Sequence, residues 1–207
     1  VTQPGRLSGL LTAVLADKSL REALGAVEQP RLELEGPPAG RPLLVAALAT
    51  ERPVLAITAT GREADELAAI AKDLLGPDAV ELFPSWETLP HERLSPRADT
   101  VGRRLEVLRR LAHPEEHPAG GIKVIVATIR SLIQPMAPQL GELAPVHLEI
   151  GAEHDFLQLV ERLAELAYVR VDMVEKRGEF AVRGGILDVF PPTSEHPGPG
   201  GVLGATR

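Results

Sequence analysis

The 207-residue chain contains no cysteine. Disulfides and thiolate metal sites are thereby excluded, and such a composition suits a reducing compartment. Aromatic residues make up only 3% of the chain, with one Trp, Trp86, and one Tyr, Tyr168. A platform that stacks the bases of a single strand needs more rings than that. Long apolar runs are missing as well. None approaches the roughly 20 residues that span a bilayer, and no charged-then-apolar leader precedes a cleavage site. The expectation is a cytoplasmic protein with no membrane partner. Basic residues number 22 against 29 acidic ones, a net charge of −7. That balance excludes a surface that is a nucleic-acid footprint throughout, and leaves room only for a local basic patch.

Several kinds of chemistry are missing too. A phosphate-gripping loop needs glycines for close amide approach, a lysine for charge and a hydroxyl for magnesium, in the order G-x-x-x-x-G-K-[ST]. The one candidate, Gly36 to Pro42, has the wrong spacing, no lysine, no hydroxyl, and prolines that remove amide donors. No nucleotide hydrolysis is expected of these residues. Thr58 to Arg62 is a strand-to-helix turn whose helix N-terminus offers an anion site as the alternative. His91, His113, His117, His147, His154 and His196 form no H-E-x-x-H and no helical pair with a carboxylate, so no metal site is expected. No serine sits in a G-x-S-x-G elbow. Glu87, Glu92 and Asp99 lie near one proline-bounded loop, which reads better as structural than as paired catalytic acids. The expectation is no catalytic residue and no cofactor.

What is present is ordinary globular composition, 44% apolar and 25% charged, enough for one large domain or two small ones. Residues 1–30 read as one or two helices, with Ser19 to Glu22 as a capping box. Arg31 to Glu35 reads as a short strand, and Pro42 opens a helix to Thr50. Val54–Thr58 is a continuous apolar run, as a buried parallel strand requires; Ala79–Phe83 reads as the next strand and Ile122–Thr128 as another buried one. Helices lie between and after them: Arg62–Leu75 with Leu67, Ile70 and Leu74 inward; Asp99–Ala112 with Val101, Leu105, Leu108 and Leu111 inward; and Ile129–Met136. Val146–Ile150 reads as a strand. A helix capped at Asp155 then runs to Ala167, with Phe156, Leu159, Val160, Leu163 and Leu166 inward. Alternating strands and helices before Pro145 and a helix with strands after it imply an α/β fold with a small appended or inserted α+β domain. The boundaries fall at 1–145, 146–197 and a tail, 198–207. Arg103, Arg104, Arg109 and Arg110 make a basic face on the Asp99–Ala112 helix, either solvated or touching phosphate.

Tyr168 to Pro192 stands out. Val169–Val174 and Glu179–Phe190 read as strands joined by a turn at Glu175–Gly178, with Gly184-Gly185 as a bulge or bend in the second. Phe180 and Val182 share one face, Ala181 and Arg183 the other. Arg177 and Arg183 are then candidates for a basic, solvent-facing edge beside two glycines; a plain hairpin with solvated arginines is the simpler alternative.

Residues 177–191, RGEFAVRGGILDVFP, resemble the RG-x-F-x-VRG signature shared by the excision-repair protein UvrB and the bacterial transcription-repair coupling factors (Mfd). Ser85 to Pro90 followed by Leu94-Ser95-Pro96 resembles the coupling factors and not UvrB. The resemblance covers about Pro53 to Pro197 and implies a fragment: the N-terminal UvrB-like region of a longer protein, a degenerate helicase-type parallel-sheet domain carrying an α+β domain. It implies recruitment rather than catalysis. UvrA would bind the hairpin through Arg183, Arg177, Gly184 and Gly185. RNA polymerase and duplex DNA would be met elsewhere in the full-length protein, which hydrolyses ATP with magnesium. UvrB's phosphate loop and its long aromatic DNA-clamping hairpin have no counterpart here. Where the family continues with a strand of the type V-R-V-E-F, this chain reads Gly-Pro-Gly-Gly-Val-Leu. Residues 198–207 are therefore expected to be an aberrant, disordered tail, with one strand missing, as a one-base insertion in GC-rich coding sequence would give. Recovery of the same frame on resequencing would remove that explanation.

Overall fold

The computed structural model describes residues 3–88, 96–146, 153–192 and the backbone of 198–199. Two compact units result. One joins Val1–Ser85 with Val107–Gly141, and the other joins Trp86–Glu106 with Glu142–Arg207. The second therefore takes in a stretch that the sequence boundary at residue 145 assigned to the first.

The first unit begins with α1 (Ser8–Leu15), α2 (Lys18–Gly25) and α3 (Arg41–Glu51). Asp17 caps α2, accepting from the Leu20 amide, so Ser19 is not the cap. Arg31–Glu35 forms no strand: alternation makes a strand possible, but a ladder partner makes it real, and here Arg31 turns to Glu33 instead. Then come β1 (Val54–Thr58), α4 (Gly61–Leu75), β2 (Val80–Phe83), α5 (Ala98–Ala112), β3 (Val124–Thr128) and α6 (Ile129–Ile133), with only Val107–Ala112 of α5 in this unit. The sheet is parallel, in the order β1-β3-β2, with Val54 and Val80 both opposite Val124. A capping box of Thr60 and Glu63 starts α4. This helix packs through Ala64, Ala68, Ala71 and Leu67 onto Val80, Val124 and Val126. That stripe leaves Ile70 outside, 42% exposed, against expectation. Phe83, Val107, Ile122 and Ala127 form a second cluster, with Leu108 against it. Leu111, expected inward, is 51% exposed. The sixth helix ends at Ile133 rather than Met136, because Gln134 precedes Pro135 and is held extended.

In the second unit α7 (Phe156–Glu165) is capped by Asp155, whose carboxylate accepts from the Leu157 and Gln158 amides. Of the five residues expected inward, Phe156, Leu159, Val160 and Leu163 pack with Phe180, Val182, Leu187 and Val189; the helix ends at Glu165, short of Ala167, and Leu166 is its C-cap. The strands are β4 (Val169–Arg170), β5 (Glu179–Arg183), β6 (Ile186–Phe190) and β7 (Gly198–Pro199), paired in that order. The arrangement differs from the expected one. The fourth strand is two residues long and runs parallel to β5, so the Glu175–Gly178 turn does not close a hairpin. The hairpin is β5–β6, antiparallel, and Gly184-Gly185 is its loop rather than a bulge. Both glycines have positive φ, 57° and 87°. That pair is the signature of a type I′ turn, whose twist matches the strands it joins. Gly198-Pro199, expected to begin the disordered tail, instead pairs with Val189 and Asp188. Residues 147–150 of the expected Val146 strand, and 200–207 of the tail, lie outside the described residues.

Candidate protein-binding site

The two-residue loop fixes which side chains meet at the hairpin's end. Arg183 stands directly opposite Ile186, and Ala181 opposite Asp188. Alternation puts all four on one face, the one turned away from α7. At the loop end this face is open: Ile186 is 61% exposed, and a Cβ on either turn glycine would meet nothing within 4 Å. Arg183 is exposed, as expected, and its Nη2 donates to Asp188 Oδ2 at 2.8 Å. Asp188 and Ile186 were not singled out from sequence. A two-glycine loop is a known hairpin signal, and counting outward from it gives both pairs.

Arg177 is elsewhere. It precedes β5, while Arg183 ends it, so the two stand about 20 Å apart at ~3.3 Å per residue. The structure does not bring them together. The Arg177 guanidinium lies over the Phe190 ring, 5.7 Å from its centroid, and 4.0 Å from Asp99 Oδ2. Burial raises the Asp99 pKa, but the Arg97 hydrogen bond and charge, the Thr100 amide and Arg103 together hold it below its ordinary value. Between the arginines, Glu179 accepts from the Glu175 and Lys176 amides at 2.9 and 2.8 Å. Those bonds lower its pKa and pin the turn.

The basic face on α5 is neither fully solvated nor arranged for phosphate. Arg104 is 1% exposed and Arg110 3%. In the second unit Arg104 stacks on Trp86, 4.2 Å from the ring centroid. In the first, Arg110 donates to Glu81 Oε1 at 3.0 Å and to the Gly120 and Asp78 carbonyls at 2.8 and 2.5 Å. Arg109 forks onto Glu116 and reaches the Gly141 carbonyl. Arg103 is exposed. The helical spacing showed four arginines on a surface; the fold uses three to tie loops to α5. Glu87, read as part of a structural loop, bonds Thr100; Glu92 lies outside the described residues.

Among the described residues one group could offer metal ligands: His113, Glu115 and Glu116, with donor atoms within 4.8 Å of one another. Sequence spacing missed it because the three meet on a 3₁₀ turn, Pro114–Glu116. The Arg109 fork already supplies a cation to Glu116. His91, His147 and His196 lie outside the described residues. At Gly36–Pro42, Pro38–Gly40 form a 3₁₀ turn leading into α3, with Pro42 in its first turn. The Thr60 helix start, weighed as an anion site, is closed by its own capping box. No helix among the described residues is long and apolar enough to cross a membrane.

Residues 146–198, which contain the hairpin and the helix behind it, match the UvrB interaction domain family. Across 194 residues, 92% of its length, the chain is 53% identical to the transcription-repair-coupling factor of Mycobacterium tuberculosis (strain CDC 1551 / Oshkosh). The chain belongs to the transcription-repair-coupling factor family. It spans 16% of that relative. The coupling factor of Bacillus subtilis (strain 168) is 33% identical over 175 residues, 84% of this chain and 14% of that protein. UvrABC system protein B of Streptomyces coelicolor (strain ATCC BAA-471 / A3(2) / M145) is 30% identical over 149 residues, 68% of this chain and 21% of that protein. These two coupling-factor matches cover more of the chain than this UvrB match does. The α/β sheet of the first unit and the small sheet of the second suit a UvrB-like segment of a coupling factor.

Proposed function

We propose that this chain is a recruitment module that imitates UvrB and binds UvrA through the β5–β6 hairpin. The observation that carries the reading is an exposed guanidinium, Arg183, at the open end of a two-glycine turn inside the matched domain. Arg183 is the anchor: its planar fork suits a carboxylate, and arginine is enriched among residues that dominate interfaces. Gly184 and Gly185 leave room for a partner's backbone. Arg177, already against Phe190 and Asp99, contributes at the rim. The residues present are not an enzyme and take no cofactor. The longer protein to which such a segment belongs is an ATP- and magnesium-dependent DNA translocase of the cytoplasm. Its other regions meet stalled RNA polymerase and duplex DNA, and this module brings UvrA to the lesion.

Capture of purified UvrA by the chain tests this. Wild type should bind, and Arg183→Ala should weaken binding by about 2 kcal/mol, while stability changes by less than about 0.5 kcal/mol, as at exposed positions. Equal binding by both proteins would move the contact away from the hairpin. The alternative is an ATP-dependent, DNA-binding UvrB-like helicase subunit, favoured by the likeness to UvrABC system protein B. Calorimetric titration with ATP and magnesium separates the two: micromolar binding would support the helicase subunit, and its absence the recruitment module.

A further inference from the structure

Arg183 is exposed without being loose. Its side chain is 62% accessible, whereas that of its partner Asp188 is 25% accessible. Asp188 is the fixed end of the pair. It lies in the middle of β6, between Leu187 and Val189, which are 6% and 3% exposed and packed in the core under α7. The register makes Asp188 the diagonal neighbour of Arg183, a separation that long side chains bridge. One hydrogen bond joins them, from Nη2 to Oδ2. A guanidinium has five N–H donors in a rigid fork, so this bond orients the group without occupying it.

We infer that Asp188 is a positioning residue: it holds the Arg183 guanidinium over the hairpin's open face, so that the remaining donors meet a carboxylate of the partner beside Ile186. This rests on the UvrA reading above and adds to it a residue and a chemistry. The remaining N–H donors lie in one plane and match the two oxygens of a carboxylate, and Ile186 supplies the apolar neighbour that excludes water from the contact. Immobilising a side chain rich in rotamers on binding costs about 0.5–1.5 kcal/mol, which is about two- to twelvefold in affinity. Asp188 meets part of that cost before the partner arrives.

The experiment is a double-mutant cycle with the whole chain and purified UvrA, joined to a measurement that needs no partner. Arg183→Ala should weaken binding about thirtyfold. Asp188→Ala should weaken it about two- to twelvefold, and Asp188→Asn, which keeps an acceptor oxygen, by less. The double variant should bind like Arg183→Ala alone, since without the guanidinium Asp188 has nothing to position. If Asp188→Ala costs as much in the Arg183→Ala background as in wild type, Asp188 acts independently and the inference is overturned. In the free chain, ¹⁵N relaxation of the Arg183 Nε should report an ordered side chain that becomes mobile in Asp188→Ala; unchanged mobility also overturns it. A wild-type chain that fails to bind UvrA sinks the recruitment reading, and the relaxation measurement then decides the positioning role by itself.

Discussion

Replacing Arg110 by alanine should unfold much of what holds the first unit together. The side chain is 3% exposed and donates to three acceptors: the Glu81 carboxylate, the Gly120 carbonyl and the Asp78 carbonyl. The guanidinium thus joins α5 to β2 and to the loops before β2 and β3. Hydrogen bonds from a charged donor contribute about 1.5–3 kcal/mol each, but three on one side chain do not add. Removing one partner of a buried ion pair costs about 3–5 kcal/mol, because the other is left desolvated. Glu81 is only one-quarter exposed, and two carbonyls lose their donor with it. The expected loss is therefore about 3–5 kcal/mol, a large share of the ~5–15 kcal/mol of a whole domain. Arg110→Lys keeps the charge but cannot reach three acceptors in one plane, and should recover less than half. Urea denaturation followed by far-UV circular dichroism measures both, with Arg103→Ala as the exposed control, expected within about 0.5 kcal/mol of wild type. A loss below about 1 kcal/mol for Arg110→Ala, typical of an exposed pair, would refute the structural role and return this arginine to the surface.

The remaining predictions use other parts of the molecule. Gly185→Ala places a Cβ at φ 87° and should destabilise the hairpin by about 1–2 kcal/mol in urea melts; Gly184→Asn, a residue this turn accepts, should cost less than about 0.5 kcal/mol. Trp86→Ala removes a half-buried ring and the surface on which Arg104 stacks, so stability should fall by about 3 kcal/mol, read from a lowered denaturant midpoint. The folded pKa of Glu179 lies below its ordinary value of 4.5, because two amides hydrogen-bond the carboxylate. The unfolded chain therefore binds the proton more tightly. The stability Glu179 contributes is complete above pH 4.5 and disappears as pH falls through the lower folded value. A carboxyl titration by NMR should give a midpoint below 4.5, and Glu179→Gln should remove this part of the acid limb.

Local signals determined a good deal. Strand–helix alternation gave three parallel strands, but Leu55 and Ile57 are 51% and 54% exposed, so β1 is not covered on both faces as a fully buried strand would be. The stripe Phe156, Leu159, Val160, Leu163 gave the buried face of α7, and the motif around Arg183 gave the family. Other features depended on partners far along the chain. Periodicity put four arginines on one face of α5, but only the fold brings Glu81, Gly120 and Trp86 to them, and those contacts turn surface charge into internal ties. Similarly, Val169–Val174 carried strand residues, yet pairing with β5 left only Val169–Arg170 in the sheet, and in parallel. The hairpin lies between these cases. Its Gly-Gly loop was visible and its turn type is a local matter of φ. That Arg183 bonds Asp188, which a packed core holds in place, is a consequence of register and burial together. The sequence by itself determined the elements and the kinship, because both are written in short-range pattern. Tertiary structure decided which charges are exposed, because burial depends on residues that adjacency in the chain does not reveal.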